Sequence, residues 1–257
     1  MLTLYDDVFS PYARKVRIAL YEKDIPFERV RALHGDCNRT DFVHVNPRAE
    51  VPALVDGDFS LYDSTVICEY LEDRHPAPSL YPQEPQLRAK CRLIEDLADT
   101  QLDAALYAIA IVEMGRREQF PEMRAAAARD LERLYGELER ALGDGRFLCG
   151  SYSLADVAVL PHLMAASFLG FPIETARHPR LSRWMEEVQV RPAVVRDNAD
   201  VVETLQRLQQ EQQPAFDPYR VQWRGDRLEW VIKNGFAAWL FDEMRAGRAF
   251  FPLPVRE

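Results

Sequence analysis

The chain has 257 residues, 47% hydrophobic and 28% charged, with 32 Lys and Arg against 41 Asp and Glu for a net charge of −9. That composition supports a sizeable packed core and excludes collagen-like, low-complexity and disordered classes, and no apolar run reaches the roughly 18 residues of a membrane span. A negative net field repels phosphate backbones, so neither nucleic acid nor a membrane is expected as a partner.

The residues Met1-Leu2-Thr3-Leu4-Tyr5 lead directly into strand-like sequence without the pattern of a signal peptide, which points to the cytoplasm. A strand Leu2 to Tyr5 precedes a helix Pro11 to Lys23, a strand Phe27 to Val30 and a short helix before Asn46-Pro47. Strands Ala53 to Val55 and Phe59 to Tyr62, joined by Asp56-Gly57-Asp58, then lead into a helix Ser64 to Arg74. The order is βαβ followed by ββα, a small α/β domain over 1–76, and Pro76-Ala77-Pro78 opens a linker over 77–85.

From 86 to 213 the pattern is helical. Apolar residues recur at helical spacing from Ile94 to Val112 and from Ala127 to Ala141, with a break near Gln119-Phe120-Pro121. Leu154 to Phe171 is apolar on nearly all sides and is expected as the central helix of an all-α domain, with Pro179 to Val188 and Ala193 to Gln210 as two more. The remaining stretch, 214–257, is aromatic-rich: nine of the 42 residues from 216 onward are aromatic, about twice the chain average, so it is expected to pack on the body. Within it Tyr219, Val221 and Trp223 alternate like a strand, and Asp226-x-x-Glu229 suggests a capping box opening a helix through Met244. Gly235 interrupts that helix, and Arg224-Gly225-Asp226 offers a hairpin turn instead.

The four cysteines, Cys37, Cys68, Cys91 and Cys149, form no Cys-x-x-Cys pair and do not cluster with the five histidines, so no metal site is expected. Three short stretches could carry chemistry. In Phe9-Ser10-Pro11-Tyr12 the serine suits a helix N-cap and the proline its first turn; a helix start is also an anion site, and a hydroxyl there can donate to a thiolate. In Glu50-Val51-Pro52-Ala53 the proline directly precedes a strand, either as an ordinary trans loop residue or as a cis bond that turns the Val51 backbone toward an extended ligand. In Tyr62-Asp63-Ser64-Thr65 either Asp63 or Ser64 can cap the next helix, and the pair offers a carboxylate to an amine and donors to a carboxylate.

Together, Ser10 at a helix start, Val51-Pro52, Asp63-Ser64 and Ser153-Leu154-Ala155-Asp156 resemble the cytosolic glutathione transferase family over roughly residues 1 to 205, with an N-terminal motif most like omega-type bacterial members. The resemblance implies a thioredoxin-like domain that binds glutathione, an all-α domain that supplies the pocket for a small hydrophobic electrophile, and a homodimer. It assigns Ser10 as hydrogen-bond donor to the glutathione sulfur. Val51, at the family's cis-proline turn with Pro52, would pair its backbone with the cysteinyl unit, Asp63 and Ser64 would hold the γ-glutamyl end, and Arg39 would approach the glycyl carboxylate. Tyr12, Tyr107, Ile111 and Met114 are candidate walls of the electrophile pocket, although apolar side chains at that spacing are as readily core. Tyr5 could replace Ser10 as donor, but its place within a strand favours a structural role.

The implied activity is that of a glutathione S-transferase in detoxification, with glutathione as co-substrate and no metal. Ser10 in place of cysteine argues against mixed-disulfide chemistry, because a hydroxyl cannot form that intermediate. Two alternatives remain at this stage: a noncatalytic interaction protein of the same fold, as the stringent starvation proteins are thought to be, and a specialised glutathione-dependent dehalogenase, isomerase or lyase.

Overall fold

Leu2, Leu4 and Asp6 alternate inward along β1 (Leu2–Asp6), which pairs in parallel with β2 (Phe27–Arg31) and antiparallel with β3 (Ala53–Asp56). β4 (Phe59–Tyr62) completes a four-stranded sheet of order β2-β1-β3-β4. This computed structural model describes residues 1–32, 39–115, 120–212, 221–222 and 224–250. The first crossover is α1 (Pro11–Glu22), the short α2 (Arg39–Val45) precedes β3, and α3 (Ser64–Arg74) follows β4. A small mixed sheet with this connectivity is a thioredoxin-like domain, and it is followed by a helical one.

α1 departs from an ordinary surface helix. Every residue from Tyr12 to Leu20 is buried, including Arg14, Lys15 and Arg17. The helix is wedged between the sheet and the helical half, so its cations are neutralised across that boundary: Arg14 and Arg17 share Asp197, Arg17 also holds Asp6, and Lys15 lies 2.9 Å from Glu95 and 2.5 Å from Asp99. Ion pairs with both members buried persist only when each charge is matched in this way.

The helical half begins with α4 (Pro85–Leu97), continues through a π-helical turn at Ala98–Leu102, α5 (Asp103–Ile109) and a second π-helical turn at Ala110–Gly115. α6 (Pro121–Leu142) returns antiparallel, and α7 (Leu154–Phe168) is the buried centre expected from its apolar sequence. Asp156 fixes the start of α7, accepting the Ser153 N–H at 2.9 Å, the Leu148 N–H at 3.0 Å and the Trp184 indole N–H at 2.7 Å. Two more helices follow, α8 (Pro179–Gln189) and α9 (Pro192–Glu211).

The C-terminal segment folds as β5 (Val221–Gln222), α10 (Gly225–Lys233), α11 (Ala237–Arg245) and β6 (Ala249–Phe250), the two strands pairing in parallel. α10 packs on α5, and Trp230 donates its indole N–H to Asp130 at 2.8 Å. Two expectations for this segment are corrected. Arg224, not Asp226, occupies the N-cap of α10 and no side chain caps it, so the Asp226/Glu229 capping box does not form. The single helix through Met244 is two helices, separated at Gly235 with φ +88°. Arg224-Gly225-Asp226 enters α10 rather than turning a hairpin, while Tyr219 and Trp223 lie outside the described residues.

Candidate functional site

Where the two halves meet, a cleft forms between the β3 entrance, the start of α3 and the first π-helical turn, with one wall from the C-terminal segment. Val51, Pro52, Asp63 and Ser64 all line it, and the Val51–Pro52 bond is cis. The loop before that bond is organised by Asn46, which is buried: its amide donates to the Glu50 carbonyl at 2.6 Å and its oxygen accepts the Arg48 N–H at 2.9 Å. Sequence reading missed this role, although Asn before Pro is a recognisable turn former.

Asp63 is the N-cap of α3. Its Oδ1 accepts the Thr65 N–H at 3.0 Å and the Val66 N–H at 3.3 Å, and its backbone holds φ +77°. A non-glycine residue in that region costs of order 1 kcal/mol or more and persists only where surrounding structure imposes it. Capping uses Oδ1, so Oδ2 faces the cleft side, 3.9 Å from the Arg48 guanidinium, which also lies over the Tyr62 ring at 5.4 Å. Ser64 follows, 5% exposed, at the first turn of the helix. Asp63 takes the Thr65 and Val66 N–H groups, which leaves the Ser64 N–H without a partner among the described residues, at the positive end of the helix dipole, where an anion is favoured.

Ser10 caps α1: its Oγ accepts the Ala13 N–H at 3.3 Å. That bond uses an oxygen lone pair and leaves the hydroxyl proton to be donated elsewhere. Ser10 stands at the head of α1 and is not itself among the residues lining the cleft. Tyr5 stacks on Phe42 at 5.7 Å, a packing role.

Of the candidates for an electrophile wall whose side chains are described, Tyr12, Tyr107 and Ile111, only Tyr12 borders the cleft. Its hydroxyl donates to the Asp99 carbonyl at 2.6 Å, and burial, with Asp103 nearby, holds its pKa well above the ordinary phenol value. Tyr107 is half-buried with the Arg227 guanidinium 3.3 Å from its ring centre, and Ile111, 3% exposed, packs in the main core. The side chains of Met114 and Arg39 lie outside the described residues.

Sequence reading did not single out Asp99 or Arg224, which line the cleft, or Arg227, which does not line it but anchors the C-terminal segment to α5. Asp99 lies in the first π-helical turn; burial alone would raise its pKa, but Lys15 and the neighbouring His162 hold it below the ordinary carboxylate value. Its Oδ1 is buried without a hydrogen-bond partner among the described residues, with His162 Nε2 3.9 Å away. Arg227, buried, makes a two-pronged pair with Asp103 at 2.6 and 3.2 Å. Arg224 lines the cleft with its guanidinium 5.0 Å from the Tyr12 ring centre. A π-helical turn often marks a functional position, but nothing in local sequence distinguishes Ala98–Leu102 from ordinary helix.

A thioredoxin-like domain is thus joined to a helical domain across a polar cleft. The comparisons agree. Residues 4–79 match the glutathione S-transferase N-terminal domain and residues 117–187 the glutathione S-transferase C-terminal domain. Glutathione S-transferase theta-3 of Mus musculus is 35% identical over 202 residues, covering 73% of this chain and 82% of that one. A stringent starvation protein A homolog of Haemophilus ducreyi is 28% identical over 188 residues, covering 73% and 85% respectively. The crystal structure of a glutathione S-transferase from Methylobacterium radiotolerans in complex with glutathione sulfonate superposes with a TM-score of 0.64 at 30% identity, covering 76% of this chain and 93% of that one. The chain belongs to the glutathione S-transferase family.

Proposed function

We propose that the protein activates the thiol of glutathione for attack on a small electrophile. One observation carries this reading: Val51, Pro52, Asp63 and Ser64, distant in sequence, converge on a single cleft. In this reading the tripeptide lies along the Val51 backbone, whose N–H and C=O have no partner among the described residues. Its γ-glutamyl ammonium meets Asp63 Oδ2, and its γ-glutamyl carboxylate meets the Ser64 hydroxyl and the Ser64 N–H at the positive end of α3. The Arg39 assignment rests on position alone. The exposed apolar residues Phe59 and Val66 on β4 and α3, with Leu93 on α4, support a homodimer formed through that face.

Ser10 is assigned the sulfur. A free thiol titrates near about 8.5, so only a few per cent is thiolate at neutral pH. A charge-assisted hydrogen bond from the Ser10 hydroxyl contributes roughly 1.5–3 kcal/mol to the anion, with the dipole of α1 adding to it. Conjugation of 1-chloro-2,4-dinitrobenzene by Ser10→Ala is expected to slow by about 10- to 100-fold with glutathione affinity nearly retained. Ser10→Thr, which keeps both cap and hydroxyl, should retain most of the rate. Titrating the bound thiol by thiolate absorbance should give a midpoint below that of free glutathione in the wild type and a higher one in Ser10→Ala. Equal midpoints remove Ser10 from the chemistry.

A noncatalytic reading is favoured by the stringent starvation relative and by the Arg227 guanidinium seated over Tyr107. It predicts a wild type that binds glutathione, if at all, without shifting the thiol or conjugating any electrophile.

A further inference from the structure

The C-terminal segment brings to the cleft a cation, Arg224, that no carboxylate among the described residues pairs with. Neighbouring cations are engaged: Lys15 with Glu95 and Asp99, Arg14 and Arg17 with Asp197, Arg227 with Asp103. Arg48 is stacked on Tyr62 beside Asp63. Arg224 is half-buried with its guanidinium over the Tyr12 ring; no carboxylate of the described residues lies within ion-pair distance, and Glu50 and Asp103 act on it from farther away. A guanidinium stays protonated at any ordinary pH, and its planar fork matches a carboxylate two bonds at a time.

We propose that Arg224 binds a carboxylate on the second substrate, so that this protein prefers an anionic electrophile. This rests on the transferase reading above. The placement argues for the electrophile over the tripeptide. Arg48 already supplies a cation on the thioredoxin-like side, next to Asp63, whereas Arg224 comes from the far wall and lies over Tyr12. Of the two guanidiniums that lie over tyrosines, Arg227 over Tyr107 is paired with Asp103, whereas Arg224 over Tyr12, in the cleft, has no carboxylate within ion-pair distance among the described residues. Arg224 lies beyond the residues that the two family matches cover.

The test compares two chloroarenes that differ by one carboxylate, 4-chloro-3,5-dinitrobenzoate and 1-chloro-2,6-dinitrobenzene, on wild type, Arg224→Gln and Arg224→Lys. For wild type, kcat/KM should favour the benzoate once the intrinsic rates with free glutathione are divided out. Arg224→Gln should lower that preference about tenfold, mainly through the KM of the benzoate, and Arg224→Lys should restore part of it. The glutathione Kd, measured by calorimetry, should move less than the benzoate KM. An unchanged preference in Arg224→Gln overturns the proposal. So does a loss confined to glutathione affinity, which would assign Arg224 to the tripeptide's own carboxylate. If wild type conjugates neither arene, the transferase reading fails separately; calorimetry of the benzoate alone then decides, and equal affinity or no binding in wild type and Arg224→Gln rejects the subsite.

Discussion

Asp103 and Arg227 lie 124 residues apart in sequence and meet as a buried pair that ties the C-terminal segment to α5. Removing one partner leaves the other charge buried without compensation, a loss of about 3–5 kcal/mol, whereas replacing both with apolar groups is often close to neutral. Arg227→Met is therefore expected to lower stability by several kcal/mol in urea denaturation, and Asp103→Leu/Arg227→Met to recover most of it. A double variant as unstable as the single one would show that the pair is held for its own interaction. Local caps were legible at this scale, since Ser10 and Asp63 act on amides two or three residues away. Partners 124 residues away leave no mark in local sequence.

The element scale shows where periodic patterns mislead. In the C-terminal segment the apolar stripe from Leu228 to Met244 reads as one helix, but Gly235 ends α10. Its N–H donates to the Ile232 carbonyl at 3.0 Å and the following Phe236 N–H to Val231 at 2.9 Å, a helix-terminating pattern that requires the left-handed conformation at residue 235. A Cβ there would meet nothing within 4 Å, so Gly235→Ala should cost only the conformational term, about 1 kcal/mol, and Gly235→Asn less, read as shifts in thermal midpoint. α1 misleads in the opposite way. Arg14, Lys15 and Arg17 look like a solvated face, yet all three are buried, because two domains claim opposite sides of one helix.

Across the whole molecule the two halves are joined by charges of very unequal consequence. Asp197 of α9 is fully buried and serves both Arg14 and Arg17, while Arg191 meets Glu22 at 2.8 Å with its own side chain 30% exposed. Asp197→Ala should cost about 3–5 kcal/mol by leaving two guanidiniums buried. Arg191→Gln should cost about 1 kcal/mol, since an exposed pair is weakened by solvent. Comparable losses in denaturant titrations would mean that burial is not what separates them. Whereas Val51, Pro52, Asp63 and Ser64 were grouped only by the resemblance to a family, the order of strands and helices along the chain and the central α7 were legible because strand alternation and apolar runs are local signals. Asp99, Arg224 and the neutralising partners of α1 were not, because only the assembled fold brings them together.

The π-helical turn at Ala98–Leu102 makes chain length itself a determinant of this cleft. Such a turn holds about one residue more than an α-helical one, and each residue along a helix advances the side-chain direction by about 100°. Deleting a single residue there, after Asp99, would relax the backbone toward regular helix and swing Asp103 and Tyr107 away from Arg227, unseating the C-terminal segment while Lys15 kept its grip on Glu95 in α4. In that stretch an indel does harm that no conservative exchange of side chains could match.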